Sequence, residues 1–308
     1  MRVGFLPDVG EHFAADHFLA GFLVSHQTLR GGDDGNAQAA QNLGQLFGLS
    51  VNAKAGQTIT LWHGETLDEN GNFTQSNFDP GERNKNGIPQ KIVYICRDGL
   101  NVYKPYFSLF GFRYAKIETD ADLTGAEFTA VAGYSDMKQT GSFRCGNEDV
   151  SRLFQNSLWS MRSNFCDVPT DCPQRNERQP WLGDHAVGTW GEAFMFDCGT
   201  MYAKWMEDMT EAQRADGCIP DVVPAFWNYY TDGMVWQSVL PIICEMLYEH
   251  NGNIEPLRRN YATMKRWLDH MQNRYMTPDG LVTKEKYGDW CVPPESLELI
   301  HSQDPLRV

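Results

Sequence analysis

The sequence predicts a multidomain chain of the α and β classes, with strands in its first half and helices in its second. Of the nine tryptophans only Trp62 precedes residue 150, so the composition changes along the chain. Short β-branched and aromatic runs dominate before that point, and apolar residues at helical spacing dominate after it. We therefore expect a domain boundary near residue 140. A length of 308 residues accommodates one large domain or two ordinary ones.

The predicted strands are separated by turn sequences, which is the pattern of a small β-sandwich. Turn residues cluster at Asp68–Gly71 and at Asp79–Gly81. Strands are predicted at residues 58–62, 91–96, 106–117 and 127–131. The sandwich domain is placed over residues 41–135, and residues 1–40 remain unassigned.

Five helices are predicted after Asn147, a suitable N-cap. The first must end before Pro169, because proline interrupts helical hydrogen bonding. Residues 170–184 are predicted to form a loop, since they contain Pro173, Pro180 and Gly183. Further helices are predicted at about 185–197, 200–214, 234–250 and 255–275.

Charge and composition narrow the possible partners. The formal net charge of -14 disfavours nucleic acid and anionic membranes as partners. No apolar stretch reaches the roughly 18 residues of a transmembrane helix. The N-terminal residues do not form a signal-peptide pattern, which slightly favours a cytoplasmic location. The sequence does not indicate an oligomeric state.

Cysteine spacing and short motifs argue against several kinds of chemistry. The eight cysteines include no C-x-x-C pair, so we expect reduced, partly buried thiols, with disulfides in an exported protein as the alternative. The motifs for phosphate binding, dinucleotide binding, zinc proteases and serine nucleophiles are absent. We therefore expect no cofactor and no metal.

One charged segment, Asp171–Asp184, carries the strongest functional signal. Its sequence is Asp-Cys-Pro-Gln-Arg-Asn-Glu-Arg-Gln-Pro-Trp-Leu-Gly-Asp. Glycoside hydrolysis needs two carboxyl groups, one of which stays protonated to donate to the leaving oxygen. Trp181 offers a flat face to a sugar ring, and Arg175 offers directional hydrogen bonds. A solvated loop with salt bridges is the alternative, and residue chemistry alone leaves both open.

Two further segments place a carboxylate beside a tryptophan near a helix end. They are Asp232–Trp236 and Tyr287–Trp290. Each tryptophan could instead pack into a helix interface. In an α-barrel, the loops at the helix ends line one cavity, which would unite these segments with Asp171–Asp184.

The segment Asp171–Asp184 resembles the signature D-C-P-Q-R-D-E-R-x-x-W-x-G-D of bacterial α-L-rhamnosidases, glycoside hydrolase family 78. The resemblance covers roughly residues 141–295, and a weaker one covers about 41–118. The family motifs continue at Ala193–Asp197, Tyr202–Trp205, Asp216–Pro220 and Tyr287–Trp290. The resemblance implies a β-sandwich followed by an (α/α)6 barrel, and an inverting glycosidase that releases terminal α-L-rhamnose from plant-type glycosides or polysaccharides.

The resemblance also implies roles for individual residues. Glu177 stands at the position of the general acid. Positions that bind the rhamnose or stack on it are matched by Asp171, Arg175, Trp181, Asp184, Trp236 and Trp290. Two departures lie beside the acid: Asn176 replaces the usual Asp, and Gln179-Pro180 replaces the usual Leu-Gly.

The family barrel has twelve helices, whereas only five are predicted here, so residues 141–308 are interpreted as an incomplete barrel. The resemblance places the general base beyond Val308, and Glu285, Glu295 and Glu298 do not match its context. We therefore expect a fragment of a longer enzyme that is inactive alone, because no base activates water. A non-catalytic carbohydrate-binding protein on the same fold is the alternative.

Overall fold

The computed structural model describes residues 22–30, 36–38, 44–77, 90–175, 178–225 and 228–287. The chain divides into two compact units. The first comprises Met1–Asp136 and Phe143–Arg178, and the second comprises Met137–Ser142 and Gln179–Val308. The predicted domain boundary near residue 140 stays a prediction.

The first unit contains two antiparallel sheets. One has the strand order β1-β11-β3-β8 with β9 also paired to β3, and the other has the order β2-β10-β4-β7. The strands of the first sheet are β1 (Phe22–Arg30), β3 (Gly44–Ala53), β8 (Gly99–Tyr103), β9 (Phe110–Gly111) and β11 (Glu127–Ser135). Those of the second are β2 (Asn36–Gln38), β4 (Thr58–Gly64), β7 (Lys91–Ile95) and β10 (Tyr114–Thr119). The described part of the unit also contains two short hairpins, β5 (Thr66–Leu67) with β6 (Phe73–Thr74) and β12 (Phe165–Cys166) with β13 (Val168–Pro169).

Both sheets contribute side chains to one apolar core. Leu49 and Val51 of β3 are buried in the same cluster as Ile59 and Leu61 of β4. In β4, the alternate residues Ile59 and Leu61 face this core because successive side chains point to opposite faces of a sheet. The predicted β-domain is thereby confirmed.

One predicted strand, residues 106–117, is divided between the two sheets. Phe110–Gly111 pairs with β3, whereas Tyr114–Thr119 pairs with β4. The chain crosses between them at Arg113, whose backbone N–H donates to the Gly64 carbonyl at 2.8 Å. A single apolar run spans both pieces, so its sequence pattern does not mark the crossing.

The first helix, α1 (Glu148–Asn164), follows its predicted cap and belongs to the first unit. The Asn147 side chain accepts hydrogen bonds from the N–H groups of Asp149 at 2.9 Å and Val150 at 3.2 Å. These bonds satisfy donors that a helix leaves without an internal partner.

The second unit contains four described helices: α2 (Leu182–Met195), α3 (Gly199–Ala212), α4 (Val239–Asn251) and α5 (Glu255–Tyr275). Helix α4 packs against the other three. The core between them is rich in large side chains, among them Tyr202, Trp205, Trp267 and Ile243. With α1, these are the five helices that the sequence predicted.

Two of the predicted helix starts were wrong by several residues. Helix α2 begins at Leu182, inside the predicted loop. A helix can begin there because Pro180 lies before its first residue and the first turn tolerates Gly183. The N–H of Leu182, the first residue of the helix, donates to the Asp221 carbonyl at 2.9 Å. Helix α4 begins at Val239 rather than 234, after a turn that contains Trp236.

None of the described helices has the length and apolar character needed to cross a membrane. Seven of the eight cysteines lie in the described part of the chain, and all seven are free thiols, as their spacing predicted. The eighth, Cys291, lies outside it.

Candidate functional site

The first half of the signature segment belongs to the first unit and is fastened to strand β9. The Gly111 N–H donates to the Pro173 carbonyl at 2.7 Å. A Cβ atom at Gly111 would lie 2.7 Å from the backbone of Pro173 and Gln174, so this approach requires glycine. The backbone of Pro173 and Gln174 therefore lies in direct contact with strand β9.

Arg178 anchors the far end of this half-segment. Its guanidinium donates to the Leu109 carbonyl at 2.5 Å and to the Gln90 side chain at 3.1 Å, and it lies over the Phe110 ring. Burial lowers the pKa of Arg178 below its usual value. The backbone of Arg178 has a positive φ of 45°, which few residues other than glycine adopt.

The predicted sugar-binding residues of this half-segment are placed as follows. Asp171 is half-buried, and its carboxylate accepts a hydrogen bond from the Cys172 thiol at 3.1 Å. Arg175 is exposed. Burial raises the pKa of Glu65 above its usual value, and the positive charge of Arg175 partly offsets this rise. The predicted acid, Glu177, and its neighbour Asn176 lie outside the described residues.

The second half of the segment, in the second unit, begins an aromatic cluster formed by Trp181, Tyr229, Trp236 and Tyr287. Trp181 stacks on Tyr229 with ring centroids 5.6 Å apart, and meets Trp236 edge-on at 5.3 Å. Trp236 in turn stacks on Tyr287 at 4.0 Å with an interplanar angle of 20°. The structure therefore brings two predicted residues, Trp181 and Trp236, into contact.

Gly183 makes room for this cluster. A Cβ atom there would lie 2.5 Å from two atoms of the Trp236 indole. Asp184 is exposed in the first turn of α2, where a negative charge is favourable at the helix N-terminus. Trp290 lies outside the described residues.

A buried carboxylate that the sequence analysis missed lies beneath the cluster. Asp221 is fully buried and accepts hydrogen bonds from Thr231 at 2.8 Å, Gln237 at 2.5 Å and the Tyr287 hydroxyl at 2.8 Å. Burial raises the pKa of Asp221 even though these bonds favour its charged form. Its only sequence signal is that it directly follows the motif Asp216–Pro220.

A second buried carboxylate, Glu192, lies between α2 and α3. It contacts the His185 imidazole at 3.0 Å and accepts a hydrogen bond from the Tyr202 hydroxyl. His185 and Tyr202 are both buried, so Glu192 stabilises the interface between α2 and α3.

Among the residues that the structure describes, one group of three could hold a metal ion. The ligand atoms of Cys218, Asp232 and His270 lie within 4.8 Å of one another. His270 contacts the Asp216 carbonyl at 2.7 Å with one ring nitrogen and Asp232 at 2.9 Å with the other. Burial and the neighbouring Asp232 raise the pKa of the Cys218 thiol to about 12. The three side chains thus already bond to one another or to the backbone.

Comparison with known proteins finds two family models that match the chain. Residues 138–305 match the bacterial alpha-L-rhamnosidase 6 hairpin glycosidase domain, and residues 37–134 match the bacterial alpha-L-rhamnosidase concanavalin-like domain. An alpha-L-rhamnosidase of Formosa agariphila is 32% identical over 260 residues, 83% of this chain and 27% of that protein. Another from the same organism is 35% identical over 87% of this chain and 30% of that protein.

Solved structures agree with these matches. The alpha-L-rhamnosidase from Dictyoglumus thermophilum superimposes with a TM-score of 0.75 at 26% identity, over 100% of this chain and 32% of that one. The Streptomyces avermitilis alpha-L-rhamnosidase complexed with L-rhamnose gives 0.71 at 25% identity, over 88% of this chain and 24% of that one. The chain thus spans about a quarter to a third of the length of these relatives. It belongs to the bacterial α-L-rhamnosidases of the six-hairpin glycosidase class.

Proposed function

We propose that this chain forms the rhamnose-binding and proton-donating part of an α-L-rhamnosidase that releases terminal α-L-rhamnose from glycosides with inversion. The observation that carries the proposal is the segment Asp171–Asp184. It matches the family signature at every defined position except Asn176, in a chain whose residues 138–305 match the glycosidase domain. The aromatic cluster that begins at Trp181 adds apolar ring surface of the kind that sugars contact.

In this proposal Glu177 is the general acid. It would protonate the leaving oxygen as the glycosidic bond breaks, while a second carboxylate activates a water molecule on the opposite face of the sugar. Asn176, in place of the usual Asp, removes one negative charge beside Glu177.

The remaining residues of the signature would hold the sugar. Charged groups make the strongest hydrogen bonds to hydroxyls, which suits Asp171, Arg175 and Asp184 to that role. Trp181, Trp236 and Trp290 would supply the apolar surface against which the ring packs.

The general base is proposed to lie outside these 308 residues. The relatives are three to four times as long as the part this chain spans. Glu285, the described candidate from the final segment, already accepts hydrogen bonds from four backbone N–H groups. The chain alone is therefore expected to bind rhamnose without hydrolysing it.

The decisive experiment is an assay with an aryl α-L-rhamnoside. Residues 1–308 should release no aryl alcohol above background, although they bind L-rhamnose. Robust turnover that Glu177→Gln abolishes, and that the exposed-site control Glu207→Gln leaves intact, would show that the base lies within the chain. In that case, NMR of the first-formed sugar would distinguish inversion, which yields the β-anomer, from retention.

A further inference from the structure

Glu285 joins two loops of the second unit through its carboxylate. One oxygen, Oε2, accepts from the N–H groups of Met234 at 2.8 Å and Val235 at 2.9 Å. The other, Oε1, accepts from the N–H groups of Lys286 at 2.9 Å and Tyr287 at 3.1 Å. One side chain thus satisfies four backbone donors, two in the turn before α4 and two in its own loop.

Each of these loops carries one ring of the closest stack in the aromatic cluster. Trp236 directly follows Val235, and Tyr287 supplies one of the four donors. Their centroids are 4.0 Å apart. At the other end of Tyr287, its hydroxyl donates to the buried Asp221 at 2.8 Å. Tyr287 is therefore fixed at its backbone by Glu285 and at its hydroxyl by Asp221.

We propose that Glu285 is a positioning residue for sugar binding: it fastens the loop of Tyr287 to the turn of the buried Trp236, and so sets the position of the half-buried Tyr287 ring that the sugar meets. The proposal rests on the proposed function in assigning the sugar. Its structural part, that Glu285 determines the Trp236–Tyr287 stack, stands on the hydrogen bonds alone.

A carboxylate is required because it is an acceptor at both oxygens. Glutamine at this position keeps one oxygen and places an amide N–H₂ group against two backbone donors. Hydrogen bonds to charged acceptors are stronger than those to neutral acceptors. Backbone N–H groups left without an acceptor would also destabilise the contact between the two loops. The space is also restricted, since a Cβ atom at Gly233 would lie 3.1 Å and 3.4 Å from the Glu285 oxygens.

The test compares Glu285→Gln with Glu207→Gln in the chain of 308 residues. Glu207 is an exposed carboxylate that pairs with Arg259 on the outer surface of the same unit, so it controls for loss of charge. Calorimetric titration with L-rhamnose measures affinity, and near-ultraviolet circular dichroism reports the packing of the aromatic stack. Glu285→Gln should weaken rhamnose binding about tenfold and reduce the aromatic signal, whereas Glu207→Gln should change neither.

A double-mutant cycle separates positioning from an independent effect. Tyr287→Leu removes the ring that Glu285 is proposed to hold, so adding Glu285→Gln to it should cost little further affinity. Fully additive losses would overturn the proposal, and so would Glu285→Gln binding rhamnose like the unsubstituted chain. If Glu285→Gln does not fold, Glu285→Asp keeps the carboxylate but shortens its reach between the two loops, and unchanged affinity in that variant also overturns the proposal.

A failure of the proposed function can be distinguished from a failure of the positioning role of Glu285. If the unsubstituted chain does not bind rhamnose, the sugar assignment is wrong, and circular dichroism alone decides the role of Glu285. A reduced aromatic signal in Glu285→Gln but not in Glu207→Gln supports positioning of the stack. An unchanged signal overturns it.

Discussion

Replacing Gly183 with alanine should weaken both the second unit and its sugar binding. A Cβ atom there would lie 2.5 Å from two carbons of the Trp236 indole and 2.8 Å from a third. Carbon atoms in contact prefer a separation of about 3.5–4.0 Å, so the indole would have to retreat by roughly 1 Å. Tyr287, stacked on the same ring at 4.0 Å, limits that movement.

The size of the effect follows from the cost of overpacking. Inserting one methyl group into a closely packed site destabilises by about 1–3 kcal/mol, and we expect Gly183→Ala to lie near 2 kcal/mol. Gly191, in the same helix, is the matched control, because a Cβ atom there meets nothing within 4 Å. Gly191→Ala should stabilise by about 0.5–1 kcal/mol through the lower backbone entropy of alanine in the unfolded chain.

Urea unfolding monitored by tryptophan fluorescence measures both variants, and rhamnose titration measures the consequence at the site. The two substitutions should change stability in opposite directions, and only Gly183→Ala should weaken rhamnose binding. If Gly183→Ala were as stable as Gly191→Ala, the indole would have room to move and the packing argument would fail.

Two further predictions concern titratable groups. Burial acts to raise the pKa of Asp232, but hydrogen bonds from Cys218, Tyr275 and His270 outweigh it and hold the pKa at about 2, against 3.8 for the free side chain. A lowered carboxyl pKa stabilises the fold by about 2 kcal/mol above pH 3.8, and this is lost as the pH falls through 2. Urea unfolding at pH 7 should show that loss in Asp232→Asn, and equal stability of the two chains would contradict the assignment. In the first unit, burial lowers the pKa of His63 from 6.5 to about 3, so between these values the unfolded chain binds a proton that the folded chain does not. Stability should therefore fall by up to about 4 kcal/mol as the pH drops from 6.5 to 3. His63→Phe should reduce the slope of melting temperature against pH over this range, and identical slopes would refute it.

Much of the fold follows from local sequence patterns. The alternation of apolar residues in β4 and the Asn147 cap of α1 are short-range features, and each was predicted from a few residues. The crossing at Arg113 was not, because it depends on which sheet each half of an apolar run joins. Strand β8 was missed for a related reason, since Gly99 and Asn101 disfavour strands and pairing with β3 overrides that preference.

In the candidate site, too, the features predicted from the sequence are local, and the missed ones depend on contacts between distant residues. The signature segment and the tryptophans beside carboxylates were visible in the sequence, and the structure brings Trp181 and Trp236 together. Asp221 was missed because its partners, among them Tyr287, are distant in sequence and form no motif with it. Glu285 was considered only as a base, because nothing in the sequence indicates that its oxygens accept from backbone groups fifty residues away. The roles of all the predicted site residues stay predictions, and Glu177 and Trp290 also lie outside the described residues.

Calorimetric titration of the 308-residue chain with L-rhamnose, alongside the same titration of Trp181→Ala, tests most directly whether the signature segment binds the sugar. The unsubstituted chain should show saturable binding of one sugar per chain, and Trp181→Ala should abolish it or weaken it at least about tenfold, as expected for loss of a ring that packs against the sugar. Absence of binding, or binding that Trp181→Ala leaves unchanged, would contradict this role of the segment.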